Sequence, residues 1–169
     1  MDAATWGFVG ALAGTIVGAS ASIVTTIISG WNANRLQKTA DALERTERAR
    51  AFQRSNLLEL QDSLQDAMRL IGRAHHEDML AARERSEWGK SMLSEEVDQG
   101  ILLANRKLAI LTERVANDEL RSNLRTLRQT ITNCLLSSSE LESERSIQRA
   151  SSEFPSFMEK LGIVLRDNY

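Results

Sequence analysis

Apolar and polar positions follow two patterns along this chain, and the change falls near residue 31. Residues 3–31 contain no ionisable side chain, and the apolar run is bracketed by Trp6 and Trp31. At about 1.5 Å per residue, the stretch between the two tryptophans reaches about 39 Å as a helix, enough to cross a hydrocarbon core of about 30 Å with its interfaces. Beyond Asn32 the apolar residues are spaced among charged ones at helical intervals. Residues 35–71 hold no Pro or Gly, so the span is expected to continue into a long helix. Leu57, Leu60, Leu64, Ala67, Ile71 and Ala74 recur at alternating three and four spacing, which predicts a buried seam. A break is expected around Gly89, followed by Ser94 as an N-cap with Glu95 and Glu96 in the first turn. Val97, Ile101, Ala104, Leu108, Leu111 and Val115 mark the next helix, and Asn117 caps another that carries Leu120, Leu124, Leu127, Ile131 and Cys134. Residues 137–139 read as a turn, with Ser139 and Glu142 in capping-box spacing. The last segment is expected to restart at Pro155, with Phe154, Met158, Leu161 and Leu165 on one face.

These patterns predict an all-α protein in three parts. Residues 1–31 are a membrane span with a short N-terminal tail, residues 32–54 a basic juxtamembrane helical stalk, and residues 55–169 a small helical bundle. Short connections favour an antiparallel bundle within one chain over a coiled coil between chains.

The span itself carries more information than its length. A cleaved leader would want a basic segment ahead of the apolar run, whereas Asp2 is the charged side chain there and the run continues past Ala19-Ser20-Ala21 through Ile23, Val24, Ile27 and Ile28. Phe8, Val9, Leu12, Ile16, Val17, Ile23, Val24, Ile27 and Ile28 together favour insertion by roughly 3 to 5 kcal/mol before the small and hydroxylated positions subtract from it. Gly7, Gly10, Ala11, Gly14, Gly18, Ser22, Thr25 and Ser29 fall within a helical arc of about 120°. The larger side chains lie mostly opposite. Gly10, Gly14, Gly18 and Ser22 make overlapping small-xxx-small steps, which let two backbones approach closely where lipid offers no hydrophobic drive for association. The packing face Gly7, Gly10, Gly14, Gly18 and Ser22 is therefore expected to meet a second copy or another membrane protein, with Trp6 and Trp31 as interface anchors. Arg35, Lys38, Arg45 and Arg48 follow the span, so the C-terminal side is expected in the cytoplasm and the N-terminus outside, in what would be a bacterial inner membrane.

Composition narrows the remainder. The 169-residue chain has one proline, 5% aromatic residues and a net charge of −2, which favours helices and gives no nucleic-acid footprint. Residues 32–54 set Arg35, Lys38, Arg45, Arg48, Arg50 and Arg54 against Asp41, Glu44 and Glu47, a basic flank suited to anionic headgroups. Asp41 with Arg45 and Glu44 with Arg48 are acid-before-base pairs of a solvated helix. Gly89-Lys90-Ser91 has the end of a phosphate-binding loop, but Glu84 stands where that loop needs its first glycine. His75, His76, Glu77 and Asp78 have metal-ligand side chains without metal-ligand spacing, and fit a solvated helix end or turn better. Cys134 has no second cysteine and occupies a seam position. No catalytic, cofactor or metal residues are assigned, and an enzymatic role is not expected.

The run Trp6-Gly7-Phe8-Val9-Gly10-Ala11, the segment Leu57-Leu58-Glu59-Leu60-Gln61-Asp62 and the late Lys160-Leu161-Gly162-Ile163-Val164-Leu165-Arg166 give the chain a layout that resembles uncharacterised small bacterial membrane proteins with one N-terminal anchor, a basic linker and a helical cytoplasmic tail. That resemblance implies a fold and a location, and no activity. A single span leading into a charged helix is also similar to the ATP synthase b subunit, but the expected breaks at Gly89, Asn117 and Ser137 depart from one extended stalk. The resulting expectation is a membrane-anchored, non-enzymatic interaction or scaffold protein whose partners are the lipid bilayer, a second copy or another membrane protein, and a cytoplasmic protein. The alternative is an oligomeric pore or membrane-perturbing effector, suggested by Thr15, Ser20, Ser22, Thr25, Thr26 and Ser29 in the span.

Overall fold

A computed structural model describes the backbone of residues 3–85, 88 and 92–169, and side chains for these except residues 3–13, 16, 17, 19, 21, 24 and 85. Among the described residues there are four helices and no strand: α1 (Ala3–Arg85), α2 (Glu95–Arg114), α3 (Asp118–Leu135) and α4 (Glu140–Arg166). The chain divides into two compact units, Met1–Arg48 and Ala49–Tyr169.

The first unit holds the leading part of α1, where residues 25–48 are all exposed. Ile23, Ile27, Ile28 and Trp31 are half or more exposed there, as are Leu36 and Leu43. Thr26, Thr39 and Thr46 donate their hydroxyls to the carbonyls of Ser22, Arg35 and Ala42, one turn back, at 2.8, 2.9 and 3.0 Å. No helix among the described residues is long and apolar enough to cross a membrane. The expectation of a span leans on Phe8, Val9, Leu12, Ile16, Val17 and Val24, whose side chains lie outside the described residues.

The second unit is a four-helix bundle. Along α1, Gln53, Asn56, Glu59, Arg73 and Glu77 meet Arg114, Leu111, Lys107, Glu96 and Ser94 in turn, a descending order that makes α1 and α2 antiparallel. Arg125 on α3 meets Glu113 on α2, and Thr130 and Glu119 on α3 meet Glu153 and Lys160 on α4. Arg54 reaches Asn168 while His75 reaches Ser143, so α4 runs antiparallel to α1 and closes the ring. The topology is up-down-up-down, the arrangement that short connections permit.

The expected seams fill its core. Leu57, Leu60, Leu64, Ala67 and Ile71 share one buried cluster with Leu108, Leu111, Val115, Leu120, Leu124, Leu127, Ile131 and Cys134, and Ala74 is buried as well. Ile101 and Ala104 are half-buried rather than enclosed. In α4 the buried apolar side chains are Ala150, Phe157 and Leu161, while Phe154, Met158 and Leu165 pack partly against the core. Pro155 does not start a helix as expected: α4 begins at Glu140 and Pro155 lies inside it. Pro155 and Ser151 are both exposed, so the carbonyl deprived of its usual donor faces water, and the packing on the opposite side keeps the helix continuous.

Helix ends agree with the sequence in position and differ in detail. Asn117 accepts from the Leu120 amide at 2.8 Å and caps α3. Ser139 accepts from the Glu142 amide at 3.3 Å, but Glu142 bonds the amide and hydroxyl of Ser138 instead of closing a capping box on Ser139. Ser94 precedes α2 without a side-chain capping bond, and its hydroxyl donates to Glu77. The break expected at Gly89 falls between the end of α1 and the start of α2, and Gly89, Lys90 and Ser91 lie outside the described residues.

Candidate functional site

Three places in the molecule carry chemistry beyond core packing. The first is the leading part of α1. Gly14, Gly18 and Ser22 stand exposed on it, and a Cβ added at Gly14 or Gly18 would meet nothing within 4 Å. Gly7, Gly10 and Trp6 belong to α1, but their side-chain surroundings lie outside the described residues. Trp31 is 75% exposed. Arg35, Lys38, Arg45 and Arg48 all project into solvent, and Arg48 pairs with Glu44 as the spacing predicts. The structure thus places the basic residues and the small residues on one helix, with no described side chain from elsewhere covering either.

The second is the end of the bundle where α1 gives way to α2. Glu77 accepts from the Ser94 amide and the Ser94 hydroxyl, both at 2.8 Å. These two bonds, the amide first, hold the Glu77 carboxyl below the ordinary carboxylate range. Arg73 pairs with Glu96 at 2.8 Å one turn away, so the N-cap and first turn of α2 are both tied to α1. His75 faces inward: its Nδ1 lies 2.9 Å from the hydroxyl of Ser143, and its ring is 5.6 Å from that of Trp88. The expected solvated helix end is therefore a mid-helix, part-buried position for His75, whereas His76 is exposed. Burial raises the Asp78 carboxyl, opposed by the charge of His75.

A histidine on a serine invites comparison with a nucleophile and its base. Ser143 is 1% exposed, so its oxygen is enclosed by protein and has no open approach for a substrate carbonyl. The bond instead satisfies two polar groups inside a helical bundle. Among the described residues no group of three or more metal-ligating side chains comes together. Cys134 is buried, donates to the Thr130 carbonyl at 3.3 Å, and burial pushes its thiol up to about 11.

The third place is a groove between α3 and α4. It encloses about 300 Å³ among Asn123, Thr126, Glu153, Ser156, Phe157 and Lys160, and a neighbouring hollow of about 240 Å³ shares Asn123 and Lys160. Glu153 is engaged by Thr130 at 3.1 Å, and Lys160 approaches Glu119 at 3.8 Å. The amide nitrogen of Asn123 is buried there without a hydrogen-bond partner among the described residues.

Opposite the connection end, side chains from α1 complete the backbone of other elements. The Gln53 amide donates to the Arg114 carbonyl and accepts from the Ala116 amide, each at 3.0 Å, so one side chain serves both sides of the α2–α3 turn. Asn56, 4% exposed, donates to the Leu111 carbonyl at 3.3 Å. Arg54 donates to the Asn168 carbonyl and sits 5.2 Å over the Tyr169 ring. Sequence spacing gave no signal for these contacts, since each joins residues far apart in the chain. Gln53 and Arg54, expected in the stalk, tie α1 into the bundle.

No protein-family model, curated protein or solved structure gives a significant match to this chain.

Proposed function

We propose that this chain is a membrane-anchored, non-enzymatic interaction protein. Residues 3–31 form the anchor, its small-residue face joins a second copy or another membrane protein, and the bundle of residues 49–169 meets a cytoplasmic protein. The observation that carries this reading is the state of the leading part of α1: a helix without an ionisable side chain through Trp31, with Ile23, Ile27 and Ile28 at least half exposed, demands an apolar surrounding that the described residues do not supply. Lipid supplies it, and the basic residues Arg35, Lys38, Arg45 and Arg48 then favour the cytoplasmic side for the bundle. A bacterial inner membrane fits this layout.

The pore alternative receives less support. The Thr26 hydroxyl is bonded to the Ser22 carbonyl of its own helix, the usual fate of hydroxyls in lipid, so it does not argue for a water-filled path. The test is fractionation of the full chain followed by carbonate extraction and protease protection. Retention in the membrane with the bundle cleaved only after permeabilisation of intact cells supports the reading. Release of the full chain into the soluble fraction would overturn it.

A further inference from the structure

Charge is not spread evenly along the leading part of α1. Between residues 3 and 40 the only ionisable side chains are Arg35 and Lys38, and the next acid, Asp41, stands one turn beyond Lys38. Both cations are exposed, and among the described residues neither lies in an ion pair. Farther along, Arg48 is held by Glu44. At about 100° per residue, Ile27, Trp31, Arg35 and Lys38 fall within an arc of about 80°, turned away from Gly18 and Ser22. Ile27 and Trp31 are 50% and 75% exposed. One side of this helix therefore passes from aliphatic to indole to guanidinium and ammonium, the order of chemistry met on leaving a bilayer.

We infer that Arg35 and Lys38, with Trp31, form a docking site for the headgroup of a phospholipid of net negative charge. This rests on residues 3–31 being a membrane anchor. At about 1.5 Å per residue the two cations stand about 6 and 10 Å past Trp31, within reach of the headgroup layer that an interfacial tryptophan marks. Side chains on a helix tilt toward its N-terminus, so both cations lean back toward the bilayer. Residues three apart are neighbours on a helix, and a guanidinium beside an ammonium holds one phosphate from two directions. The acyl chain of the same lipid then runs along Ile27. Charge complementarity selects the occupant. No described acid pairs with the two cations, and a zwitterionic headgroup would set a cation of its own beside them, whereas an anionic headgroup does not. Arg45 and Arg48 lie about 20 Å or more past Trp31, farther than the Debye length of about 8 Å at physiological salt, and take no part in the contact. Orientation in the membrane needs only the number of basic residues after the span, whereas this site depends on which side of the helix carries them.

The test places the full chain in liposomes of phosphatidylglycerol and phosphatidylcholine in equal parts, with a trace of one or the other lipid spin-labelled. The motionally restricted fraction of each label reads the preference of the lipid contacts. Wild type is compared with Arg35→Gln/Lys38→Gln and with Arg45→Gln/Arg48→Gln, which removes the same charge farther from the bilayer. The expected result is a preference for phosphatidylglycerol of at least about twofold in wild type and in the outer pair, falling to near parity in Arg35→Gln/Lys38→Gln. No preference in a wild-type protein that is embedded in the bilayer, or an equal loss in the two variants, overturns the site and leaves the anchor standing. A protein that does not insert overturns the anchor itself.

Discussion

Leu36 and Leu43 belong to α1, as do Leu57, Leu60 and Leu64, yet the first two are 72% and 64% exposed and the other three are 0% exposed. The difference is one of company rather than of helix formation. Residues 49–85 meet α2 and α4 across a continuous three-and-four seam, and most of their charged positions are exposed. The leading part of α1 reverses the logic: its charged residues are exposed, and so are its described apolar and small positions. A helix in water usually draws its stability from packing an apolar stripe. The trailing part of α1 has such a stripe packed within the bundle.

This contrast breaks down most visibly if core and face substitutions behave alike. Leu124→Ala, at a fully buried position, is expected to lower bundle stability by about 2 to 5 kcal/mol in a urea titration followed by helical circular dichroism. Leu36→Ala, at an exposed position, should change that same transition by under about 0.5 kcal/mol. Equal losses in both would show that the two units share one core. A smaller effect sharpens the assignment of the bundle's turns: Asn117→Ala should cost about 1 kcal/mol, the ordinary value of an N-cap, in the same titration.

Thiol chemistry gives a probe confined to one side of the comparison. Cys134 is 7% exposed with its ionisation pushed up to about 11, so alkylation at pH 8 should be slow until the bundle opens. A cysteine placed at residue 36 and kept in detergent monomers should label rapidly. Comparable rates at the two sites would contradict the burial of the α3 seam. The smallest expected effect concerns acid. Glu77 and Glu142 have folded values below the ordinary carboxylate range because Ser94 and Ser138 donate to them. Their contribution is present above the unfolded value and is lost as pH falls through the folded one, so the bundle should weaken on the acid side. Glu77→Gln and Glu142→Gln should flatten that acid limb, read as melting temperature against pH, by lowering the neutral plateau slightly toward the acid values.

Much of the bundle was legible because its information is periodic. Leu57 to Ala74 and Leu120 to Cys134 repeat without interruption, and every residue of both seams is buried. Reading failed where a local rule has two outcomes. Proline suits the first turn of a helix, so Pro155 read as a start. Its interior position is tolerated because Ser151, four residues earlier, faces water. Ala150 and Phe157 were missed with it, since a helix begun at Pro155 offers no reason to look upstream or to shift the face. The bonds joining His75 to Ser143 and Glu77 to Ser94 leave no trace in spacing at all, because they depend on which helix lies beside which. For the proposed anchor the balance is reversed: the arc of small residues is plain in the sequence, and Gly14, Gly18 and Ser22 are described, whereas Trp6, Gly7 and Gly10 have side-chain surroundings outside the described residues.

The contact between Arg54 and the Asn168 carbonyl joins residues 114 apart, and it sets an order of events during synthesis. The shared core of Leu57 and Leu60 needs Phe157 and Leu161 from the last helix. Until those residues leave the ribosome, the seam of α1 stays uncovered, and closing so long a loop is the slow entropic step. On the proposed reading, in which the first residues engage the bilayer, anchoring precedes folding. The nascent protein is then tethered with its seam open, and the bundle matures only after its final turn has been made.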